Sequence, residues 1–206
     1  MDNLREREKK VMESFSNSMN EFKKQILKGD IIVAYQGLMD YFGYLKSHFR
    51  DKYPGYDVSG STYFGYLDMT YFPIFTEPLK KRGLKIALVF VYESFRFEVW
   101  LAAKNKKIQN EYRQIFTDSG WNKYPITAGG KGIDSILDSI LVENPDFSNL
   151  DVLTETILKG TLVFIKEIEE FIADHQVWYY RMYASQTRIF LWFQTHEGKQ
   201  DISLRR

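Results

Sequence analysis

From residue 84 to 103, large apolar side chains recur at every second position, in two runs with a short polar break between them. In "LKIALVFVYE", Ile86, Leu88 and Phe90 alternate with Ala87, Val89 and Val91. In "SFRFEVWLAA", Phe97, Val99 and Leu101 alternate with Arg96, Glu98 and Trp100. A period of two is the strand period, so the segment predicts a hairpin. A two-residue turn at Glu93-Ser94, or a four-residue loop, pairs Tyr92 with Phe95, Phe90 with Phe97, Leu88 with Val99 and Ile86 with Leu101. A three-residue loop would set Phe90 against Glu98 and mix the faces. Because a slip of one residue moves every side chain to the other face, the apolar pattern itself selects the register. One face is then core, and the other carries Val91 with Arg96, Val89 with Glu98, and Ala87 with Trp100.

Elsewhere the apolar period lengthens to three and four. Val11, Phe15, Met19, Phe22 and Ile26 predict an amphipathic helix over residues 4–28, ended by Gly29. Asp30 is placed to cap a second helix over 31–51, whose stripe is Ile31, Tyr35, Leu38, Phe42, Leu45 and Phe49. So tight a connection predicts antiparallel neighbours. Pro54 and Gly55 mark a turn. Ile108, Tyr112, Ile115 and Phe116 predict a helix over 105–119, with Asn105 as N-cap and Gly120 as its stop. From 150 to about 174 the chain predicts a long acidic helix, with Leu153, Ile157, Phe164, Ile168 and Phe171 near one stripe and Gly160 weakening its middle.

The run "YDVSGSTYFGYLDMTYFPIF" predicts β structure, with Gly65 at a bulge or close backbone approach and Pro73 at an edge or end. "WNKYPIT" predicts a short strand. "GIDSILDSILVEN" fits both templates: Ile133, Ile136, Leu137, Ile140 and Leu141 match a helix, and eight residues from 135 match a buried strand. Residues 177–193 hold no acidic residue, two Arg and a high density of Trp, Tyr and Phe. They suit two short added strands or a helix against another subunit, followed by a frayed end.

Composition narrows the classes. A chain of 206 residues with 44% hydrophobic and 27% charged residues suits one globular domain with an appendage. The absence of cysteine excludes disulfides, thiol catalysis and thiolate metal sites, and the charged first stretch lacks the apolar centre of a signal peptide, so a cytoplasmic location is expected. No apolar run is long enough for a transmembrane helix. Net charge is +1, yet residues 77–131 hold 11 Lys or Arg against 5 Asp or Glu, and residues 132–175 hold 2 against 10. Such a split either offers a basic face to an anionic partner or is neutralised within the fold.

Tests for catalytic chemistry are mostly negative. "AGGKG" at 128–132 has Gly132 where a phosphate loop needs Ser or Thr, and Pro125 where it needs its first Gly. His48, His175 and His196 share no metal-ligand spacing. Neither a nucleophile elbow nor a dinucleotide fingerprint is present. Asp68 and Glu98 are the carboxylates that a magnesium-dependent nuclease would place on neighbouring strands, but Trp100 stands where such enzymes carry Lys. Catalytic, metal and cofactor assignments are therefore none. The better candidate is a binding face: Arg96, Glu98 and Trp100, with Tyr66, Asp68 and Thr70 at alternate positions of the earlier run, and Trp121, Lys123 and Tyr124 from the short strand. Aromatic rings with an Arg and a carboxylate can stack a planar or sugar-like ligand and orient it by hydrogen bonds. The rival is that a helix covers this face and leaves Arg96–Glu98 as a satisfied pair.

The blocks "YQGLMDYFGYLKSHFRDKYPGYDVSGSTYFGYLDMTYF", "LKIALVFVYESFRFEVWLAAKNKKIQ" and "SGWNKY…ENPDFSNLD" resemble a family of small uncharacterised bacterial proteins, a domain of unknown function, over roughly residues 30–172. The block around Arg96–Glu98 is more loosely similar to another uncharacterised domain sometimes fused to restriction-type nucleases. Neither resemblance carries catalytic residues across; what they imply is a bacterial cytosolic α+β domain. The expected architecture is α+β, a mainly antiparallel sheet of four to six strands with two N-terminal helices, a middle helix and a long C-terminal helix. One domain is expected over 1–174, with the helical hairpin 1–51 integral to it and 175–206 as an aromatic, basic appendage. The expected function is non-enzymatic binding of a small molecule or protein, with homodimerisation through 177–193 as a further expectation. A nucleic-acid-associated or nuclease-related domain is the alternative.

Overall fold

The computed structural model describes the backbone of residues 2–130, 132 and 134–196, and side chains from residue 6 to 175 except at 8, 131 and 133. The chain is α+β, with five helices and a five-stranded antiparallel sheet among the described residues. It divides into two compact units, Met1–Pro54 and Gly55–Arg206.

The first unit is a helical hairpin of α1 (Asp2–Lys28) and α2 (Asp30–Lys52). Only Gly29 separates them. Its φ of 89 lies in the left-handed region that glycine takes without a Cβ clash, and its carbonyl accepts from the N–H groups of Ile32 and Val33. Gly29 thus takes the cap position expected of Asp30, whose side chain makes no cap bond and falls in the first helical turn, where its charge suits the helix dipole. In α2, Leu38, Phe42, Leu45 and Phe49 of the predicted stripe are buried. In α1, Val11 and Phe15 remain 67% and 61% exposed.

The second unit is a meander, β1 (Tyr63–Phe64), β2 (Met69–Ile74), β3 (Leu84–Val91), β4 (Arg96–Ala103) and β5 (Ser135–Val142), paired in chain order. A short helix, α3 (Glu77–Lys80), joins β2 to β3, and α4 (Lys106–Asp118) precedes β5. The β3–β4 register is the one the apolar pattern selects: Phe90 faces Phe97, Leu88 faces Val99, and Ile86 faces Leu101. A four-residue turn closes it, with the Phe95 N–H donating to Tyr92 O and Phe95 in the left-handed region at φ 52. Through β2, the core face continues as Thr70, Phe72 and Ile74, all fully buried. Pro73 falls where β1 no longer pairs with β2, so its missing N–H breaks no ladder there.

The ambiguous segment 135–142 is strand β5. It pairs with β4 and shifts register twice, between Phe97 and Glu98 and between Leu101 and Ala102. "WNKYPIT" is not a strand; it contributes one isolated bridge, Ile126 with Leu137. The last helix, α5 (Leu150–His196), lies along β5 and β4 and buries Leu153, Ile157, Leu158, Phe164, Ile165 and Ile168. Phe147, just before it, joins Phe90, Phe95 and Phe97 in an aromatic cluster on the core face. The backbone of 177–193 continues α5 and adds no strands. The expected dimer contact through the side chains of that segment lies outside the described residues, as does the expectation of fraying beyond His196.

Candidate functional site

The site is built on the sheet face opposite the core. Cross-strand pairing brings Pro73, Ala87, Trp100 and Asp138 into one row, Tyr71, Val89, Glu98 and Ile140 into the next, and Lys85 with Ala102 into a third. Arg96, Glu98 and Trp100 alternate along β4 and therefore project together.

Their roles differ. Glu98 is 6% exposed and uses both oxygens: Arg96 Nε donates to Oε1 at 2.6 Å, and Trp100 Nε1 donates to Oε2 at 2.5 Å. Arg96 also donates from Nη1 to Glu143 at 3.2 Å. The guanidinium is held above its ordinary range, chiefly by the hydrogen bond to Glu98. Asp138, half-buried beside Trp100, has its carboxyl pushed up by burial and then by Glu98, while Arg96 pulls it down. Arg96 and Glu98 are thus a buttress that fixes the indole plane. Of the three, Trp100 is the one that borders the adjoining groove.

Beside Trp100 lies a groove of about 250 Å³, floored by Ala87 and Ala102 and walled by Tyr71 and Trp100. The alanine side chain is a single methyl, so two alanines among large neighbours leave this face hollow. The backbones of β2 and β4 are two strand spacings apart, about 9.5 Å, which leaves room above Ala87 for one flat group. Tyr71 is held from one side by stacking with Tyr63, ring centroids 5.2 Å apart, and Lys85 Nζ lies 5.3 Å from its ring centre. Burial, and then the nearby Asp134, push the Tyr71 hydroxyl upward. Lys85, Lys104 and Lys106 also line the groove, together with Asn105 and Asp134. A second cavity of about 170 Å³ adjoins it through shared Lys85 and Lys104.

The other expected site residues lie elsewhere. Tyr66 and Asp68 occupy the turn between β1 and β2, not one continuous strand. Tyr66 is 98% exposed, and the Asp68 carboxylate lies against Gly65. Thr70 is on the core face, where its hydroxyl meets that of Tyr92 at 3.0 Å. Asp68 and Glu98 therefore do not share a face, and both Glu98 oxygens are already engaged. Among the described residues, no three His, Cys, Asp or Glu side chains are placed to hold a metal ion.

Trp121, Lys123 and Tyr124 form a separate cluster against α5. Trp121 packs edge-on to Phe116 and Phe171, at 5.2 and 4.9 Å between centroids, and its buried indole N–H has no partner among the described residues. Lys123 Nζ and the Tyr124 hydroxyl both donate to Glu167, at 3.0 and 2.5 Å, and together they hold that carboxyl below its ordinary range. This cluster anchors residues 121–124 to α4 and α5.

Sequence reading did not single out Tyr71, Lys85, Ala87, Ala102 and Lys104, which line this groove. The signal that finds them is the β2–β3–β4 register carried across three strands, since none of the five forms a motif. No helix among the described residues is long and apolar enough to cross a membrane. Neither the curated proteins nor the solved structures return a match to the chain. Over residues 15–172, a span that contains the whole sheet and its groove, the chain belongs to a family described as a domain of unknown function, DUF7000.

Proposed function

We propose that this protein is a non-enzymatic, cytoplasmic ligand-binding domain whose ligand lies in the groove over Ala87 and Ala102, with a planar part against Trp100. The observation that supports this is the buttressed indole: an aromatic side chain whose orientation is fixed from behind by Glu98 and Arg96 borders an open hollow. A ring held in place in advance loses little entropy when a ligand stacks on it. At about 250 Å³ the hollow is slightly smaller than the about 300–1,000 Å³ usual for ligand pockets, so it suits a small molecule or the end of a larger one.

A metabolite screen read by backbone amide shifts tests this. Hits should shift amides of β3 and β4 around Ala87 and Trp100, and Ala87→Leu, which fills the floor, should abolish them. Hits that map to the Trp121 cluster, or survive Ala87→Leu unchanged, would overturn the proposal. The nucleic-acid reading keeps one support, the line of Lys80, Lys85, Lys104 and Lys106 along the two cavities. It requires binding to DNA that weakens steeply between two salt concentrations.

A further inference from the structure

Resting on that reading of the groove, we infer the class of its ligand: a flat heteroaromatic ring carrying a phosphate, of mononucleotide size, with the ring on Trp100 and the phosphate between Lys85 and Lys104.

Lys85 and Lys104 sit on neighbouring strands. Lys85 faces Ala102, and the ladder runs on to Gly83, whose carbonyl accepts from the Lys104 N–H at 2.9 Å. Lys104 is two positions past Ala102, so both lysines project from the groove face as diagonal neighbours, about 7–8 Å apart at the backbone. Neither has a carboxylate partner among the described residues. Lys85 Nζ lies over the Tyr71 ring, whereas nearby Lys80 and Lys106 pair with Asp57 and Asp134 at 3.0 and 3.3 Å. Two unneutralised ammonium groups that border the same two cavities repel, and a dianion held between them removes that repulsion. Both line both cavities, so an anion held there sits at the mouth of the slot beside Trp100. Asn105 and Lys106, which begin α4, border the same end, so its N-terminal dipole adds to the attraction. The Asp134 carboxylate, at the rim, is placed to accept from a ring amino or a sugar hydroxyl. A phosphate with no ring would leave Trp100 unused, and a ring with no phosphate would leave the lysines unpaired.

The test is calorimetric titration of the full chain with the four common nucleoside 5′-monophosphates, their nucleosides, inorganic phosphate and a short single-stranded oligonucleotide. At least one monophosphate should bind about tenfold or more tightly than its nucleoside and than phosphate, and Lys85→Gln and Lys104→Gln should each weaken it by a similar factor. Circular dichroism confirms that these exposed-side variants fold. If nucleosides bind as well as nucleotides and the lysine variants change nothing, the phosphate inference falls and the groove reading stands. If no probe binds, the ligand class is wrong, and the metabolite screen with Ala87→Leu decides the groove reading separately. If the oligonucleotide binds more tightly than every monophosphate, and more steeply with salt, the phosphate belongs to a strand and the free-nucleotide assignment is overturned.

Discussion

Replacing Glu98 with Gln keeps the side-chain volume and one acceptor oxygen but removes the charge that Arg96 and Trp100 share. Hydrogen bonds to a buried charged group are worth about 1.5–3 kcal/mol each. Gln can accept from only one of the two donors, and its amide N–H₂ is then turned against the other. The Arg96 half is worth less than the Trp100 half, because the Arg96 side chain is 27% exposed and keeps Glu143 at 3.2 Å. Exposed pairs contribute about 0.2–1 kcal/mol. Together these give a loss of about 2 kcal/mol, or a Tm lower by about 4–8 °C for a unit of this size. Urea denaturation followed by circular dichroism reads the first quantity and calorimetry the second. Since Arg96 acts through the same carboxylate, Arg96→Ala combined with Glu98→Gln should cost less than the two separately. A single-variant loss below about 0.5 kcal/mol, the size of an ordinary surface change, would refute the claim that Glu98 holds the indole.

Gly65→Ala should destabilise the β1–β2 turn, because its Cβ would lie 2.0 Å from Asp68 Oδ1 and 2.5 Å from the Met69 carbonyl. Adding Asp68→Ala should recover only part of the loss in a denaturation series, since the backbone clash persists. Phe116→Ala removes a fully buried ring stacked 4.4 Å from Phe171, and should cost about 3–5 kcal/mol by the same measurement. Asp138 has a folded-state pKa raised above its 3.8 reference, so its stabilising contribution is present below 3.8 and is lost as pH rises through the folded value. Asp138→Asn should therefore raise Tm at neutral pH and lose that advantage in acid; an equal gain at both would refute the assignment.

The parts of the fold legible in the sequence are those where one periodicity had no competitor. Ile86, Leu88 and Phe90 against Phe97, Val99 and Leu101 admit one register, and the structure has it. Residues 135–142 were open because Ile136, Leu137, Ile140 and Leu141 satisfy the helical and the strand period alike. What decides is the free edge of β4, and an edge is a tertiary fact. The long final helix was readable to about residue 174 because Leu153, Ile157, Phe164 and Ile168 repeat at helical spacing; after that the aromatic density hides the period, although the backbone remains helical to His196.

The site was legible in one strand and obscured in the next by a turn without the usual markers. "GYLD" at 65–68 carries neither Asn-Gly nor Asp-Gly, and the left-handed position, φ 61, is filled by Leu67. With that turn unseen, Tyr66, Asp68 and Thr70 read as one face of a strand. The turn moves the first two out of the sheet and Thr70 into the core, and it puts Met69 and Tyr71 beside Trp100 instead. The same shift changes what Arg-x-Glu-x-Trp means. With Tyr66 and Asp68 as neighbours, Arg96 and Glu98 would be ligand contacts; with Tyr71, Ala87 and Lys85 as neighbours, they stand behind Trp100, and in the proposed binding mode the ligand-facing charges are lysines. A substitution at Arg96 should then weaken binding only as far as it loosens the indole, whereas one at Lys85 acts on the ligand directly.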